Sequence, residues 1–456
     1  MSPVTSSFDL VPPFNVKNDR LYIGESDSVK LAEKYGTPLF VISDDRFEDN
    51  VNEYANSFRK LGISKEKFII AYAAKANTNL SLLRFAKKMG LGCDVSYANE
   101  LYAVLDSGIS PKKIFFNGNA KKQDALLTAI ELGVMINVDN LTELNDLTRL
   151  TKSGKKARIS VRVNPEISVN ADPAIATGVA NSKFGLNFKL AEKAYELARS
   201  NNLGIEGMNM HLGLQITNLK VFEEGARKFV DFAKYIEKKL GIEFRYLNFG
   251  GGLGISYTKS KAEEGKVQDA YKERLLERRP NLYCSISKTD YVRTLTNSCS
   301  SIKHDFTLVI EPGRSIVGDA GILLGRVKNV KQANPLQVSL DIGANLILVS
   351  ILWKEHNNII VANKAGREPE NVVRFVGNLC YSGDVVSPLY WSMPQMERGD
   401  IVAVLDTGAY HWFHACRGNS VELPASVMVY KNKDYLIRKR ESYEDVLRKI
   451  LLLTCE

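Results

Sequence analysis

Between residues 37 and 315 the chain repeats one pattern eight times: a short apolar run, then a longer stretch of helical period. The runs are FIIAYAA (68–74), LGCDVS (91–96), KIFFNG (113–118), MINVDN (135–140), ARISVRVN (157–164), GMNMHLG (207–213), YLNFGGG (246–252) and FTLVIEPG (306–313). Runs this short and this apolar suit strands covered on both faces, and amphipathic segments such as NLKVFEEGARKFVDFAKYIEKKLG suit the crossover helices that parallel strands require. Eight such units predict a closed (β/α)8 barrel rather than an open sheet. A further helix is predicted ahead of them in SDDRFEDNVNEYANSFRKLG, capped by Ser43 or Asp44, with Phe47, Val51, Tyr54 and Phe58 on one face. The rhythm breaks once, over residues 255–304, a connection between strands seven and eight long enough to predict a functional or mobile insertion.

After EPGRS the texture changes to strands without intervening helices: GILLGRVKNV, LQVSLDIG, NNIIVANK, NVVRFVGN, DIVAVLDTGAY, SVMVYKN and YLIRKR. The expected organisation is therefore an N-terminal segment (1–36), a barrel (37–315) and a C-terminal β-sandwich or β-barrel domain (316–456). Within the first segment RLYIG (20–24) is expected to pair with the C-terminal β domain. ESYEDVLRKILLL is expected to close the chain as an amphipathic helix.

The chain has 61 basic and 52 acidic residues, a formal charge of +9, but the cations are scattered with no dense basic tract. That argues for a solvated surface, or a field that draws in an anionic substrate, and against a nucleic-acid partner. Cys93, Cys284, Cys299, Cys380, Cys416 and Cys455 form no C-x-x-C pair and have no histidines at zinc-ligand spacing. With no signal-like start and no long apolar run, reduced thiols and a cytoplasmic location are expected, and no membrane partner.

In a (β/α)8 barrel, polar residues at the C-terminal ends of strands are the functional candidates. Lys75 ends strand one, where its amine would enter the barrel mouth and could attack an aldehyde; the alternative is a lysine that snorkels to solvent. Gly250, Gly251 and Gly252 follow strand seven, and EPGR follows strand eight. Those are the loops where barrels most often cradle phosphate, although three glycines also make a tight turn. Arg314 adds a guanidinium fork for an anion. A condensing lysine, a phosphate cradle and the carboxylate Glu311 are the protein parts that pyridoxal 5'-phosphate needs, and His211, ending strand six, could lie against its ring.

YAAKAN, CDVSYANEL, RVNP, TGVANSKFGL, MHLGLQI, NFGGGLGI, EPGR, CYSGD and DTGAY stand in one order across residues 70–410. Together they resemble the fold-type III pyridoxal-phosphate decarboxylases, the group of diaminopimelate and ornithine decarboxylases. The resemblance implies an alanine-racemase-like pairing of barrel and β domain, a homodimer with shared active sites, and loss of an amino acid's α-carboxylate as CO2. It implies that Lys75 carries the cofactor, His211 stacks on its ring, Glu311 meets the ring nitrogen, and Gly251, Gly252, Gly313, Arg314 and Tyr410 contact phosphate. Asp94 and Arg162 would support the lysine and histidine, and Cys380, reaching over from the other subunit, would return a proton; a small buried hydrophobe is the other reading of that cysteine.

The departures fall on positions expected to face substrate. Leu214 replaces a serine, Tyr381 a glutamate, and Val349 and Trp353 replace the arginine and tyrosine of an RPxLY motif; HWFHACRGNSVEL follows GAY in place of a polar run. Trp353, Tyr381, Asp384 and Arg314 are the candidate substrate contacts, with Trp412 and Phe413 further possible walls. Because each charge-assisted bond contributes about 1.5 to 3 kcal/mol, losing both a distal acid and a distal arginine points away from standard meso-diaminopimelate. A bulkier or less polar amino-acid derivative, as in siderophore or antibiotic synthesis, is the rival substrate. True diaminopimelate decarboxylation, a racemase and a non-catalytic cofactor-binding regulator are the other readings; Glu311 tells against the racemase, and retention of Lys75 and Cys380 against the regulator.

Overall fold

The structure, a computed structural model, describes residues 3–5, 10–151, 154–167, 177–180, 182–275, 277 and 281–451. Asn181 of TGVANSKFGL, Cys455 and the end of the expected terminal helix lie outside them. The chain divides into two compact units: residues 48–255 with 284–316, and residues 1–47 with 256–283 and 317–456.

The first unit is the barrel. Its strands are β1 (Phe68–Ala73), β2 (Gly92–Val95), β3 (Ile114–Phe116), β4 (Met135–Val138), β5 (Arg158–Val163), β6 (Gly204–Met210), β7 (Tyr246–Asn248) and β8 (Thr307–Ile310), all parallel and closed in chain order. The closed eight-strand barrel and a mostly sheet second unit bear out the expected fold class. The predicted helix ahead of β1 spans Asp44–Lys60; Ser43 Oγ accepts the Arg46 N–H at 3.2 Å, and Phe47, Val51, Tyr54 and Phe58 are all buried.

Strand pairing sets what fills the barrel. Side chains alternate across each strand, so Ala71, Phe115, Met135 and Val309 form one apolar inner layer, with Ile69 and Tyr246 packed on it. Nearer the C-terminal ends the inward residues turn polar. Asn137 lies beside Ser160, Arg162 beside Asn209, and Asn209 beside Asn248 in the register of β4 to β7.

The second unit holds a ten-stranded sheet. Its longest strand, Gly321–Lys331, pairs with Leu336–Leu340, with Ile401–Val404 and with the N-terminal strand Leu39–Ser43, which lies between it and Ala425–Tyr430. The expectation for residues 20–24 needs correction. Arg20–Ile23 pairs as a strand with Phe14–Lys17 and Ser26–Asp27 in a separate three-stranded sheet, and meets the C-terminal region through a backbone bond from the Leu21 N–H to the Ala362 carbonyl at 2.8 Å. Leu21 and Ile23 still share a core with Ile322, Leu324, Ile401 and Val427. The strands of the large sheet that come from the N-terminal region are instead Val4–Thr5 and Leu39–Ser43. The terminal helix is shorter than its apolar pattern suggested, Tyr443–Leu447. The insertion forms the helix Lys261–Leu275, which belongs to this unit, and Lys288–Ser298, which belongs to the barrel.

Candidate active site

Lys75 lies in a single 3-10 turn, Ala74–Ala76, directly after β1. That turn lifts the side chain off the strand, and its Nζ donates to Asp94 Oδ2 on β2. Asp94 is wholly buried, and its other oxygen accepts from Asn117 Nδ2 at 2.6 Å. Asn117 donates also to Glu311 Oε1 at 3.0 Å and accepts from Asn137 at 2.9 Å; Asn248 reaches the same Glu311 oxygen at 2.6 Å. Six strand ends, those of β1, β2, β3, β4, β7 and β8, are thus tied into one net that includes the lysine and the glutamate.

Burial, reinforced by the negative charge of Asp94, pushes the Glu311 carboxyl up to about 7, against the opposing pull of Lys75 and the two amides. Both amide donors fall on Oε1, and Oε2 receives no hydrogen bond among the described residues. A buried carboxylate with one unserved oxygen matches a protonated heteroaromatic nitrogen, so the residues present fit a pyridine ring. His211 supports the same fit: burial and the cations Lys75 and Arg162 hold its imidazole well below its usual range, hence neutral. Its Nδ1 accepts the Gly251 N–H at 3.1 Å, which fixes the ring plane. Arg162 is buried beside Asp139 at 3.6 Å and lies over the Phe184 ring.

The triple glycine answers to the strands on both sides of it. Gly250 has φ +67°, and a Cβ there would stand 2.3 Å from the Met210 carbonyl; at Gly251 it would stand 2.2 Å from the Glu311 carbonyl. Glycine is therefore demanded by backbone packing as well as by any ligand. Gly252, Gly313 and the buried Arg314, which opens the short helix Arg314–Val317, complete this edge of the barrel unit.

The remaining candidates lie in the sheet unit. Tyr410 is buried, adopts φ +69°, and packs edge-on against Trp353 at 5.1 Å, with His414 5.5 Å from the same indole. Cys380 and Tyr381 are exposed, so Cys380 is not a small core hydrophobe. Asp384, by contrast, is buried; Oδ1 accepts the Ala344 N–H and Oδ2 the Leu379 N–H, both at 2.6 Å, pinning the loop that carries Cys380. Val349 is buried on the short helix Leu348–Leu352, and Trp412 and Phe413 pack edge to face. Sequence reasoning passed over Asn117, Asn137 and Asn248. The available signal was an asparagine within or at the end of three of the eight apolar runs, in FFNG, MINV and YLNF.

The family model for the pyridoxal-dependent decarboxylase, pyridoxal binding domain, matches residues 46–318. The chain belongs to the pyridoxal-dependent decarboxylases. The diaminopimelate decarboxylase of Methanocaldococcus jannaschii is 34% identical over 441 residues, 95% of each chain, and that of Bacillus subtilis 31% over 445. The solved M. jannaschii diaminopimelate decarboxylase superposes with a TM-score of 0.85 over 97% of this chain and 98% of that one, at 33% identity. The Helicobacter pylori enzyme, complexed with L-lysine, gives 0.80 at 30% identity, covering 92% of this chain and 98% of that one. A lysine/ornithine decarboxylase from Vibrio vulnificus, at 18% identity, shares the fold. This decarboxylase is accordingly a pyridoxal-phosphate-dependent carboxy-lyase resembling diaminopimelate decarboxylase. Among the described residues no helix is long and apolar enough to cross a membrane, and no cluster of histidine, cysteine and acid side chains could hold a metal.

Proposed function

We propose that this decarboxylase removes the α-carboxylate of an amino acid whose far end differs from that of meso-diaminopimelate. The net joining Lys75, Asp94, Asn117 and Glu311 carries the reaction class. When bound, pyridoxal phosphate supplies an electron-withdrawing ring that accepts the electron pair left as CO2 departs. Asp94 orients the Lys75 amine toward the cofactor aldehyde, and Glu311 Oε2 holds the proton on the ring nitrogen. His211, neutral and fixed by Gly251, offers its flat face to the ring. Gly251, Gly252, Gly313, Arg314 and Tyr410 take the phosphate. Cys380 Sγ delivers the proton to the α-carbon, and Asp384 positions the loop from which it does so.

The substrate half of the reading rests on Val349 and Tyr381. A buried aliphatic and an exposed phenol supply neither the cation nor the carboxylate that would read a second amino-acid centre, whereas Trp353, Tyr410 and His414 form an aromatic cluster suited to a less charged group. Decarboxylation of meso-diaminopimelate itself is the second reading, favoured by relatives that bear that name and match nearly end to end. CO2 release measured over meso-diaminopimelate, both enantiomers of basic, acidic and aromatic amino acids, and acyl- and citryl-diamino acids decides between them. A kcat/KM for meso-diaminopimelate that exceeds all others would overturn the first. We further propose a cytoplasmic homodimer with shared sites, in keeping with the exposed Cys380; light scattering after gel filtration, together with complementation between Lys75→Ala and Cys380→Ala chains, tests the shared site.

A further inference from the structure

A cleft of about 470 Å3 opens in the sheet unit against the inserted helix Lys261–Leu275. Its walls are largely apolar, from Leu275, Ile347, Ile351 and Val386, and one lining residue is Arg374, on the strand Asn371–Val376. The Arg374 Nε is buried and meets no acceptor among the described residues; Glu355, itself buried, lines the same cleft. Arg274, on the same wall, differs: its Nε donates to the Pro388 carbonyl at 3.0 Å and its guanidinium lies over the Tyr390 ring. A guanidinium Nε that lacks an acceptor in a largely apolar cleft is a donor that a bound anion can serve through a charge-assisted bond. The volume suits one small molecule.

We propose that this cleft binds a small organic carboxylate, its anionic group on Arg374 and a short apolar body against Leu275, Ile347 and Ile351. The same cleft includes Ser350 and Asn357. Ser350 Oγ bonds Asn357 and lies 2.9 Å from His411 Nε2, while His411 Nδ1 donates to the Ala409 carbonyl at 2.9 Å. His411 follows Tyr410, and Ser350 lies on the helix that leads into Trp353. A ligand against Ser350 therefore bears on the aromatic cluster, and the site is regulatory. That second step rests on the roles proposed above for Tyr410 and Trp353; the binding step does not.

Calorimetric titration of the holoenzyme with phenylacetate, and with neutral phenylacetamide, tests the site. Saturable binding of the acid alone is expected, weakened by about tenfold or more in Arg374→Met, which loses the charge-assisted bond. Ile351→Trp, which fills the mouth without touching the charge, should block it too, and both variants should keep basal CO2 release. Equal binding of acid and amide, unchanged affinity in Arg374→Met, or no saturable binding to the wild-type holoenzyme would overturn the site. So would a change of oligomeric state in Ile351→Trp, which would show that a second copy covers the cleft. Phenylacetate should also shift the wild-type KM by about twofold or more but not that of Arg374→Met, following the loss of the charge-assisted contact. Binding with no change in KM or kcat would remove the regulatory step and leave the site.

Discussion

In the barrel unit the carboxylates are buried and held by their neighbours: Asp94 by the half-buried Lys75, and both Asp94 and Glu311 by Asn117. In the sheet unit Cys380 and Tyr381 stand in the open, the latter 55% exposed, on a loop held by the buried Asp384. A buried net holds each member in place, so altering one strands its partners in a medium of low dielectric. An exposed side chain has water as its alternative partner and can change identity at little cost to the fold. On the reading proposed above, the barrel unit holds the cofactor and the sheet unit is where selectivity for substrate can vary.

The largest effect should follow Lys75→Ala. Loss of the amine proposed to carry the cofactor aldehyde should remove the visible absorption of the holoenzyme and lower CO2 release by about a thousandfold or more. Retention of either would dissolve the contrast at its strongest point. Glu311→Gln comes next, with roughly a hundredfold loss of turnover as the ring-nitrogen proton loses its holder. The same variant reports on stability. In the cofactor-free protein the folded state binds the Glu311 proton up to about pH 7, well above the ordinary 4.5. The folded state therefore holds more protons than the unfolded one in this window, and stability falls as pH rises from 4.5 to 7, by on the order of 3 kcal/mol. Urea midpoints across that range should flatten in Glu311→Gln, and cofactor should flatten them in the wild type.

In the sheet unit the effects should shift from stability to selectivity. Tyr381→Glu, at an exposed position, should raise kcat/KM for meso-diaminopimelate relative to the preferred substrate by about tenfold or more, the value of one charge-assisted bond. No gain would mean that the far end of the substrate is read elsewhere. Smallest is the stability change in Cys380→Ala, about 0.5 kcal/mol or less because the thiol is exposed, although product fidelity should suffer. A large drop in unfolding midpoint would contradict the exposed placement.

The place of Lys75 and Glu311 at the C-terminal ends of barrel strands was legible because each closes an apolar run. The barrel was legible for a related reason: eight buried parallel strands must be written as unbroken apolar runs. Asn117, Asn137 and Asn248 were harder to see, since asparagine after an apolar run reads equally as the start of a turn. Partners across a sheet were harder still. Residues 20–23 have the pattern of a strand, yet no local signal says that Phe14–Lys17, and not a distant segment, will pair with them. LFVIS carries no mark of its place either, because a five-residue buried run fits any central position. The short terminal helix shows that an apolar period alone does not set length.

The position of Leu39–Ser43 carries a lesson for biosynthesis. Its neighbours are Gly321–Lys331 and Ala425–Tyr430, so this segment must wait for strands translated long after it. The barrel's strands, each beside its successor in sequence, can assemble as they emerge. A nascent chain halted anywhere before residue 425 leaves LFVIS with an unfilled edge, an exposed apolar ribbon for chaperones or for other stalled copies to seize.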